Sequence, residues 1–87
     1  VNIWGDEIYF PVDINDEEIG AKETVELGDV GYWPPGNAFC LFFGLTPLSR
    51  GEEIRPASPI NIIGKIKSEI NILKSVKSGE KVIVSLI

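Results

Sequence analysis

Short runs of apolar residues recur along the chain, and turn-forming residues separate them. The first two runs, residues 2–4 and 7–10, predict a hairpin whose turn is Gly5-Asp6. Later runs predict further strands, at residues 22–25, 30–33, 38–43, 60–66 and 81–87. Because these runs are short and rich in Ile and Val, they favour strands over helices. The pattern predicts a mainly β fold, in the form of a closed or partly closed antiparallel β-barrel.

Proline and glycine mark the connections between these strands. Gly28 is free to adopt a positive φ in the turn before residues 30–33. Residues 34–37, Pro-Pro-Gly-Asn, predict a rigid turn, because proline cannot donate to a sheet ladder. Residues 44–59 hold three prolines and predict a long loop, and Gly64 predicts a bulge in the strand that follows.

One segment near the C-terminus has the features of a short helix. Ser68 is a good N-cap, because its hydroxyl can accept a hydrogen bond from an orphan backbone N–H. Ile70, Leu73 and Val76 then share one face at helical spacing, and Gly79 supplies a stop. The sequence therefore predicts one short C-terminal helix before the last strand.

The charge of the chain narrows the classes of partner. The net charge is −5, and no segment combines Lys and Arg with aromatic residues as nucleic-acid surfaces do, so we expect no nucleic-acid binding. The charge is uneven, with a net of −8 over residues 1–29 and +3 over residues 60–87. An acidic face for a basic partner is one interpretation. Mutual attraction of the two ends within the fold is the simpler one.

Few residues offer catalytic or metal-binding chemistry. The chain has no His and one cysteine, Cys40, so it can form no internal disulfide, and a zinc site is not expected. Cys40 lies in an apolar run without a neighbouring base, which indicates a core or groove-lining thiol and not a nucleophile. The acids within residues 13–18 lack the ligand spacing of a calcium loop and predict a solvated connection.

Composition also bears on where the protein works. No apolar run approaches the ~20 residues that cross a bilayer, and no signal-peptide pattern opens the chain. We therefore expect no membrane association and a cytoplasmic location, which a lone cysteine also fits. The absence of His and Gln, together with many Ile, Glu and Lys residues, hints at a heat-loving source.

Two long motifs are similar to a known family. Residues 28–36 read Gly-Asp-Val-Gly-Tyr-Trp-Pro-Pro-Gly, and residues 38–44 read Ala-Phe-Cys-Leu-Phe-Phe-Gly. With residues 54–59, residues 61–66 and the opening of the chain, they resemble a family of uncharacterised, mainly prokaryotic proteins with a cyclophilin-like fold. The resemblance covers most of the chain and implies a single cyclophilin-like domain over residues 1–87. Family members usually begin with a further strand or hairpin and a helix, so we expect this domain to lack N-terminal elements of the barrel.

A more distant likeness to the true cyclophilins bears on prolyl isomerase activity. Cyclophilins resemble one another in using an arginine, a glutamine, a phenylalanine, a tryptophan or similar aromatic, and a histidine. By that resemblance the glutamine position falls on Ala38, the phenylalanine position on Cys40 and the tryptophan position near Leu48. The chain has no histidine, and the resemblance gives no support for Arg55 as the arginine. The isomerase residue set is therefore absent, and a divergent peptidyl-prolyl cis-trans isomerase is kept as an alternative function.

The resemblance also implies a candidate binding groove on the strand at residues 38–43. Alternation puts Ala38, Cys40 and Phe42 on one face, where the small side chains of Ala38 and Cys40 leave room for a ligand. The candidate ligand-binding residues are Tyr9, Trp33, Ala38, Cys40, Phe42, Arg55 and Ser58. We expect non-catalytic binding of a small molecule or short peptide there, with no cofactor. Two alternatives stay open: the aromatics are ordinary core, or the domain is structural and pairs with another chain through a strand edge.

Overall fold

A five-stranded antiparallel sheet forms the centre of the computed structural model of the protein, which describes residues 1–13, 21–67 and 69–81. The strands in chain order are β1 (Asn2–Trp4), β2 (Glu7–Pro11), β3 (Asp29–Trp33), β4 (Ala38–Phe42) and β5 (Asn61–Lys65). Their order across the sheet is β1-β2-β4-β3-β5, and every neighbouring pair is antiparallel. The prediction of a mainly β, antiparallel fold is confirmed.

The sheet is open within the described residues, because β1 and β5 are its two edges. The predicted closure into a barrel is therefore not confirmed. The strand predicted at residues 22–25 is reduced to isolated bridges, from Lys22 to Ile60 and from Val25 to Ile54. The strand predicted at residues 81–87 lies, apart from its first residue, outside the described residues.

The turns follow the positions of glycine, proline and asparagine. Gly5 has a φ of 58° in the hairpin between β1 and β2, and Gly28 has a φ of 88° just before β3. The predicted rigid turn is a 3-10 helix at Pro34–Gly36, and Asn37 follows it in the left-handed conformation. These are conformations that glycine and asparagine adopt at the least cost, so the sequence locates the turns correctly.

The bulge predicted near Gly64 is present in β5. Val30 pairs with Gly64, whereas the next residue of β3, Gly31, pairs with Ile62. Ile63 is therefore an extra residue between two paired positions, which is the definition of a bulge. In the described sheet β5 is an edge strand, so the irregularity disturbs the ladder with β3 alone.

The predicted C-terminal helix is wrong in kind, because the structure has a 3-10 helix at Ile70–Ser75 instead of an α-helix. The apolar residues explain the difference: they recur every third residue from Ile70 through Leu73 to Val76. A strict spacing of three matches the three residues per turn of a 3-10 helix. The segment is also rich in β-branched residues, which lowers its α-helix propensity. The predicted N-cap, Ser68, lies outside the described residues.

The two faces of the sheet bury different clusters, as the alternation along β4 predicts. The face that carries Cys40, called the Cys40 face below, packs with the loops before β3 and β5. Its buried residues are Val25, Cys40, Phe42, Ile54 and Ile60. On the opposite face, Ile8, Phe10 and Phe43 are covered by apolar side chains of the C-terminal 3-10 helix and by other partly buried residues. Both faces of the sheet are therefore covered by apolar side chains.

Candidate functional site

A pocket of about 260 Å³ opens on the Cys40 face. The strands β1 to β4 supply five of its lining residues, and the loop that leads into β5 supplies the other three. The lining residues are Trp4, Glu7, Tyr9, Trp33, Cys40, Pro56, Ala57 and Ile60. The pocket is thus a mainly apolar and aromatic depression with a carboxyl group and a thiol in its wall.

The strand register explains why these side chains meet. Trp4 pairs directly with Glu7 across the β1–β2 hairpin, and Tyr9 pairs directly with Cys40 across β2 and β4. Glu7 and Tyr9 are two residues apart in one strand, so their side chains lie on the same face. Four of the lining residues are therefore neighbours on one patch of sheet, fixed by backbone hydrogen bonds.

Glu7 and Cys40 form a buried polar pair. Glu7 is 5% exposed and Cys40 is 2% exposed. Burial raises the pKa of the Glu7 carboxyl to about 7, and its hydrogen bond with Cys40 lowers that pKa in part. Burial, followed by the negative charge of Glu7 and the hydrogen bond, raises the pKa of the Cys40 thiol well above its ordinary value. The thiol therefore stays protonated at neutral pH, and Glu7 exchanges its proton near neutrality.

Two contacts fix Trp33 at the pocket wall. Its indole Nε1–H donates a hydrogen bond to Ser58 Oγ at 2.6 Å. Its ring also packs on Gly36, where a Cβ atom would lie 2.6 Å from Trp33 Cζ3. The ring is thus held by a loop on one side and by the turn after β3 on the other.

Gly31 allows the loop to approach the sheet beside the pocket. A Cβ atom at this position would lie 2.7 Å from Ile60 Cδ1 and 2.8 Å from Ile60 Cγ1. Ile60 is fully buried, so it has little space into which to move. The missing side chain of Gly31 is therefore what lets Ile60 form part of the pocket.

The seven residues predicted from the sequence occupy four kinds of position, the last of which is that of Arg55, described below. Tyr9, Trp33 and Cys40 line the pocket, and Ser58 bonds to Trp33 from the adjoining loop. Ala38 and Phe42 share the Cys40 face but are buried, Phe42 completely, and they do not line the pocket. The role of these residues in ligand binding stays a prediction.

Arg55 lies apart from the pocket-lining set. Its Nε atom forms an ion pair with Glu53 Oε2 at 3.3 Å, and its backbone carbonyl accepts a hydrogen bond from the Thr46 hydroxyl. Both contacts are to residues of its own loop. The structure therefore does not bring Arg55 together with Tyr9, Trp33 and Cys40.

Sequence reasoning missed Glu7, Trp4 and the three loop residues of the pocket. One signal for Glu7 was available: it is two residues from Tyr9 in the run Glu-Ile-Tyr-Phe, so both side chains are expected on the same face of the strand. Glu7 is not one of a pair of carboxylates, because its side-chain partner is a thiol, so the pattern of paired acids does not reveal it. Its thiol partner, Cys40, lies 33 positions later in the chain, and only the pairing of β2 with β4 brings the two together.

Lys65 links the acidic and basic ends of the chain. Its Nζ atom lies 2.9 Å from Asp29 Oδ1 and 3.0 Å from Glu26 Oε2. Asp29 is buried, and its other oxygen accepts a hydrogen bond from the Glu26 backbone N–H at 2.8 Å. These contacts support the simpler interpretation of the uneven charge, in which the two ends attract each other.

The described residues contain neither a metal cluster nor a membrane-spanning helix. In residues 1–13, 21–67 and 69–81, no three acidic, cysteine or histidine side chains come together as a metal site would require. Across the same ranges no helix combines the length and apolar character needed to cross a membrane. The acidic connection predicted at residues 13–18 lies, beyond Asp13, outside the described residues.

Comparison with known proteins relates the chain to one family. A family model described as cyclophilin-like matches residues 1–85. Among solved structures, the chain is similar to the solution structure of a hypothetical protein from Archaeoglobus fulgidus, with 58% sequence identity and a TM-score of 0.62. That match covers 75% of this chain and 50% of the archaeal one, so it spans half of that protein. No curated protein matches the chain.

Proposed function

Because the chain belongs to the cyclophilin-like family, we propose that it is a non-catalytic binding domain that takes a small molecule or part of a short peptide in the pocket on the Cys40 face. The observation that carries the proposal is the lining of that pocket. Three aromatic side chains and three apolar loop residues surround one carboxyl–thiol pair. Ligand sites have this composition, with apolar walls and a few polar groups that set orientation.

The size of the pocket restricts the ligand. Its volume of about 260 Å³ is slightly below the ~300–1,000 Å³ of pockets that hold drug-sized molecules. A nucleotide or other large cofactor is therefore a poor fit. A small molecule, or one side chain of a bound peptide, is a better one.

The chemistry of the lining favours binding over catalysis. None of the eight lining residues is an arginine, glutamine or histidine. Arg55, the arginine weighed for an isomerase, is paired with Glu53 in its own loop. The protonated Cys40 thiol is a poor nucleophile. The divergent prolyl isomerase therefore remains the less supported alternative.

One observation favours the structural alternative, in which an edge strand pairs with another chain. β5 is an edge strand of the described sheet, and Ile63 on it is 52% exposed. Exposed apolar edges pair readily, although the bulge and Lys65 work against it here. A mass that rises with concentration in sedimentation experiments would support this alternative.

The closed barrel is likewise kept as a proposal, because Val1 and Glu80 are hydrogen-bonded beside the start of edge strand β1.

The proposal is tested by obstructing the pocket. Ala57 is an exposed lining residue, so Ala57→Trp places a large ring at the rim without disturbing the core. Glu52→Trp puts the same ring on the same loop at an exposed position outside the lining set. Amide correlation spectra of each labelled protein are recorded with a library of small molecules and Xaa-Pro peptides.

We expect shifts in the unmodified protein to cluster at Tyr9, Trp33 and Cys40. They should persist in Glu52→Trp and disappear in Ala57→Trp. Shifts that survive in Ala57→Trp, or a spectrum that no compound changes, would contradict the proposed pocket. Exchange between cis and trans peptide signals would instead revive the isomerase alternative.

A further inference from the structure

The pocket combines three aromatic rings with one buried carboxyl group. Trp4, Tyr9 and Trp33 supply the rings, and Glu7 supplies the carboxyl. Trp4 is directly opposite Glu7 across the β1–β2 hairpin, and Tyr9 follows Glu7 on the same face of β2. Directly opposed side chains begin about 5 Å apart at Cβ, so the carboxyl lies within reach of neighbouring rings.

Glu7 has a weak hydrogen-bond partner for a carboxyl group at its depth. It is 5% exposed, and the side chain that hydrogen-bonds to it is the Cys40 thiol. A thiol is a weak donor, whereas an ionised carboxylate can accept at about four lone-pair positions. None of the described lining residues is a lysine, arginine or histidine that could balance the charge. A ligand that brings a positive charge would satisfy this carboxylate.

On the basis of the proposed function, we propose that the pocket binds the ammonium group of an organic cation, whether in a free alkylammonium compound or on a peptide side chain. The faces of Trp and Tyr rings attract cations through their quadrupoles. The Glu7 carboxylate adds an opposite charge in a site of reduced dielectric constant. A neutral apolar ligand would instead bury the ionised carboxylate without a counter-charge, which is costly.

The whole molecule is consistent with a cationic ligand. The net charge of −5 attracts cations and repels anions at long range. The pocket volume of about 260 Å³ is large enough for a nitrogen with methyl substituents and part of the chain that carries it. The class of ligand is therefore a small ammonium group, substituted enough to contact the rings.

A matched pair of probes tests the charge requirement. Choline and 3,3-dimethylbutan-1-ol have nearly the same shape, but a neutral carbon replaces the quaternary nitrogen in the second. Each is titrated into labelled protein at pH 8. We expect the unmodified protein to bind choline at least about tenfold more tightly than the neutral alcohol, a ratio that corresponds to ~1.4 kcal/mol.

Two variants locate the charge. Glu7→Gln keeps the size of the side chain and removes the carboxylate, and it should abolish the preference for choline. Glu52→Gln makes the same change of charge at an exposed position outside the lining set, and it should keep the preference. Equal loss in both variants would mean a general charge effect and would overturn the inference.

Acidification gives an independent readout. Burial raises the pKa of Glu7 to about 7, so the carboxyl is largely protonated at pH 5 and ionised at pH 8. The other titratable groups that line the pocket are the Cys40 thiol and the Tyr9 phenol, and neither becomes cationic. We expect choline affinity to fall by about tenfold or more from pH 8 to pH 5. The affinity of Glu7→Gln should change little.

The source of the cation is identified with a second pair of probes. A short peptide that carries trimethyllysine is compared with the same peptide that carries leucine at that position. Binding of both members of each pair with equal affinity would overturn the ammonium inference and leave the proposed pocket standing. The absence of any shift with choline and with the trimethyllysine peptide would also overturn it. The proposed function fails if the compound library gives no pocket shifts either, or if the shifts survive in Ala57→Trp.

Discussion

At the scale of single residues, Glu7 is an acidic side chain buried in the wall of a mainly apolar pocket. Its carboxyl has an ordinary pKa of 4.5, and burial on the Cys40 face raises this pKa to about 7. Ionising the group in the folded protein therefore costs about 3 kcal/mol relative to water. An apolar side chain at this position would avoid this cost. A role of the carboxyl in the pocket therefore explains its presence better than a contribution to stability does.

Glu7 should make the stability of the protein depend on pH. Between pH 4.5 and about 7 the folded state holds a proton at Glu7 that the unfolded state has lost. The stabilisation that this bound proton gives the folded state is therefore complete below pH 4.5 and is lost as the pH rises through about 7. The contribution of this group to the free energy of unfolding should decline by up to ~1.4 kcal/mol per pH unit in that window.

Urea unfolding of the unmodified protein and of Glu7→Gln at pH 5 and pH 8 measures this contribution. Other carboxyl groups affect both proteins alike, so the difference between the two is the relevant quantity. We expect the variant to gain about 2–3 kcal/mol relative to the unmodified protein on going from pH 5 to pH 8. Parallel pH profiles would show that Glu7 titrates normally in the folded state.

At the scale of elements, the contact between β3 and the loop before β5 depends on Gly31. A methyl group there would overlap Ile60, which is fully buried. We expect Gly31→Ala to lower the free energy of unfolding by about 1–3 kcal/mol, because overpacking forces neighbouring side chains out of position. Since Ile60 also lines the pocket, the variant should change the pocket resonances as well.

Gly64 provides the matched control for this substitution. It pairs with Val30 across the same two strands, yet nothing lies within 4 Å of the position that a Cβ atom would take. Gly64→Ala should leave stability unchanged or raise it by less than about 1 kcal/mol. Comparable destabilisation by both variants in urea unfolding would show that the backbone of these two strands does not tolerate a side chain, and that the contact of Gly31 with Ile60 is not the cause.

The elements also show how far the sequence predicts the fold. Turn residues such as Gly5, Gly28 and Asn37 have local conformational preferences, so the turns could be located from sequence. The C-terminal segment could not be assigned correctly, because apolar residues three apart fit an α-helix and a 3-10 helix alike. The predicted strand at residues 22–25 was reduced to bridges because its exposed middle residues add nothing to the core.

The candidate site was less predictable than the fold, because its residues lie far apart along the chain. Cys40 could be proposed from the alternation along residues 38–43, and Tyr9 and Trp33 could be proposed as aromatic residues of predicted strands. The neighbours of Cys40 depend on the register of β2 against β4, which a single sequence does not reveal. Arg55 has a charged side chain that could bind a ligand. In the structure it forms an ion pair with Glu53 of the same loop, and the sequence did not predict this pair.

At the scale of the whole molecule, β4 is the centre of the structure. It is paired on both sides, with β2 and with β3, and it contributes buried residues to the core on the Cys40 face. By contrast, β1 has three residues and, within the described residues, a partner strand on one side only. The sheet therefore has a stable middle and a weakly held edge.

Hydrogen exchange should reveal this hierarchy. We expect the amides of Cys40 and Leu41 to exchange only through global unfolding, with an opening free energy equal to that from urea unfolding. The amide of Asn2 in β1, which pairs with Tyr9, should open at least ~2 kcal/mol more easily, through local fraying. Uniform exchange across β1 and β4 would mean that the sheet unfolds as a single unit down to its edge.

Both tryptophans of the protein, Trp4 and Trp33, lie in the wall of one pocket. Intrinsic fluorescence excited at the indole band therefore comes entirely from that pocket, with no background from elsewhere in the chain. The protonated thiol of Cys40 and the carboxyl of Glu7 are both pocket-lining and can quench or shift this emission. The molecule thus carries its own optical probe, and an unlabelled sample is enough to screen for whatever enters the pocket.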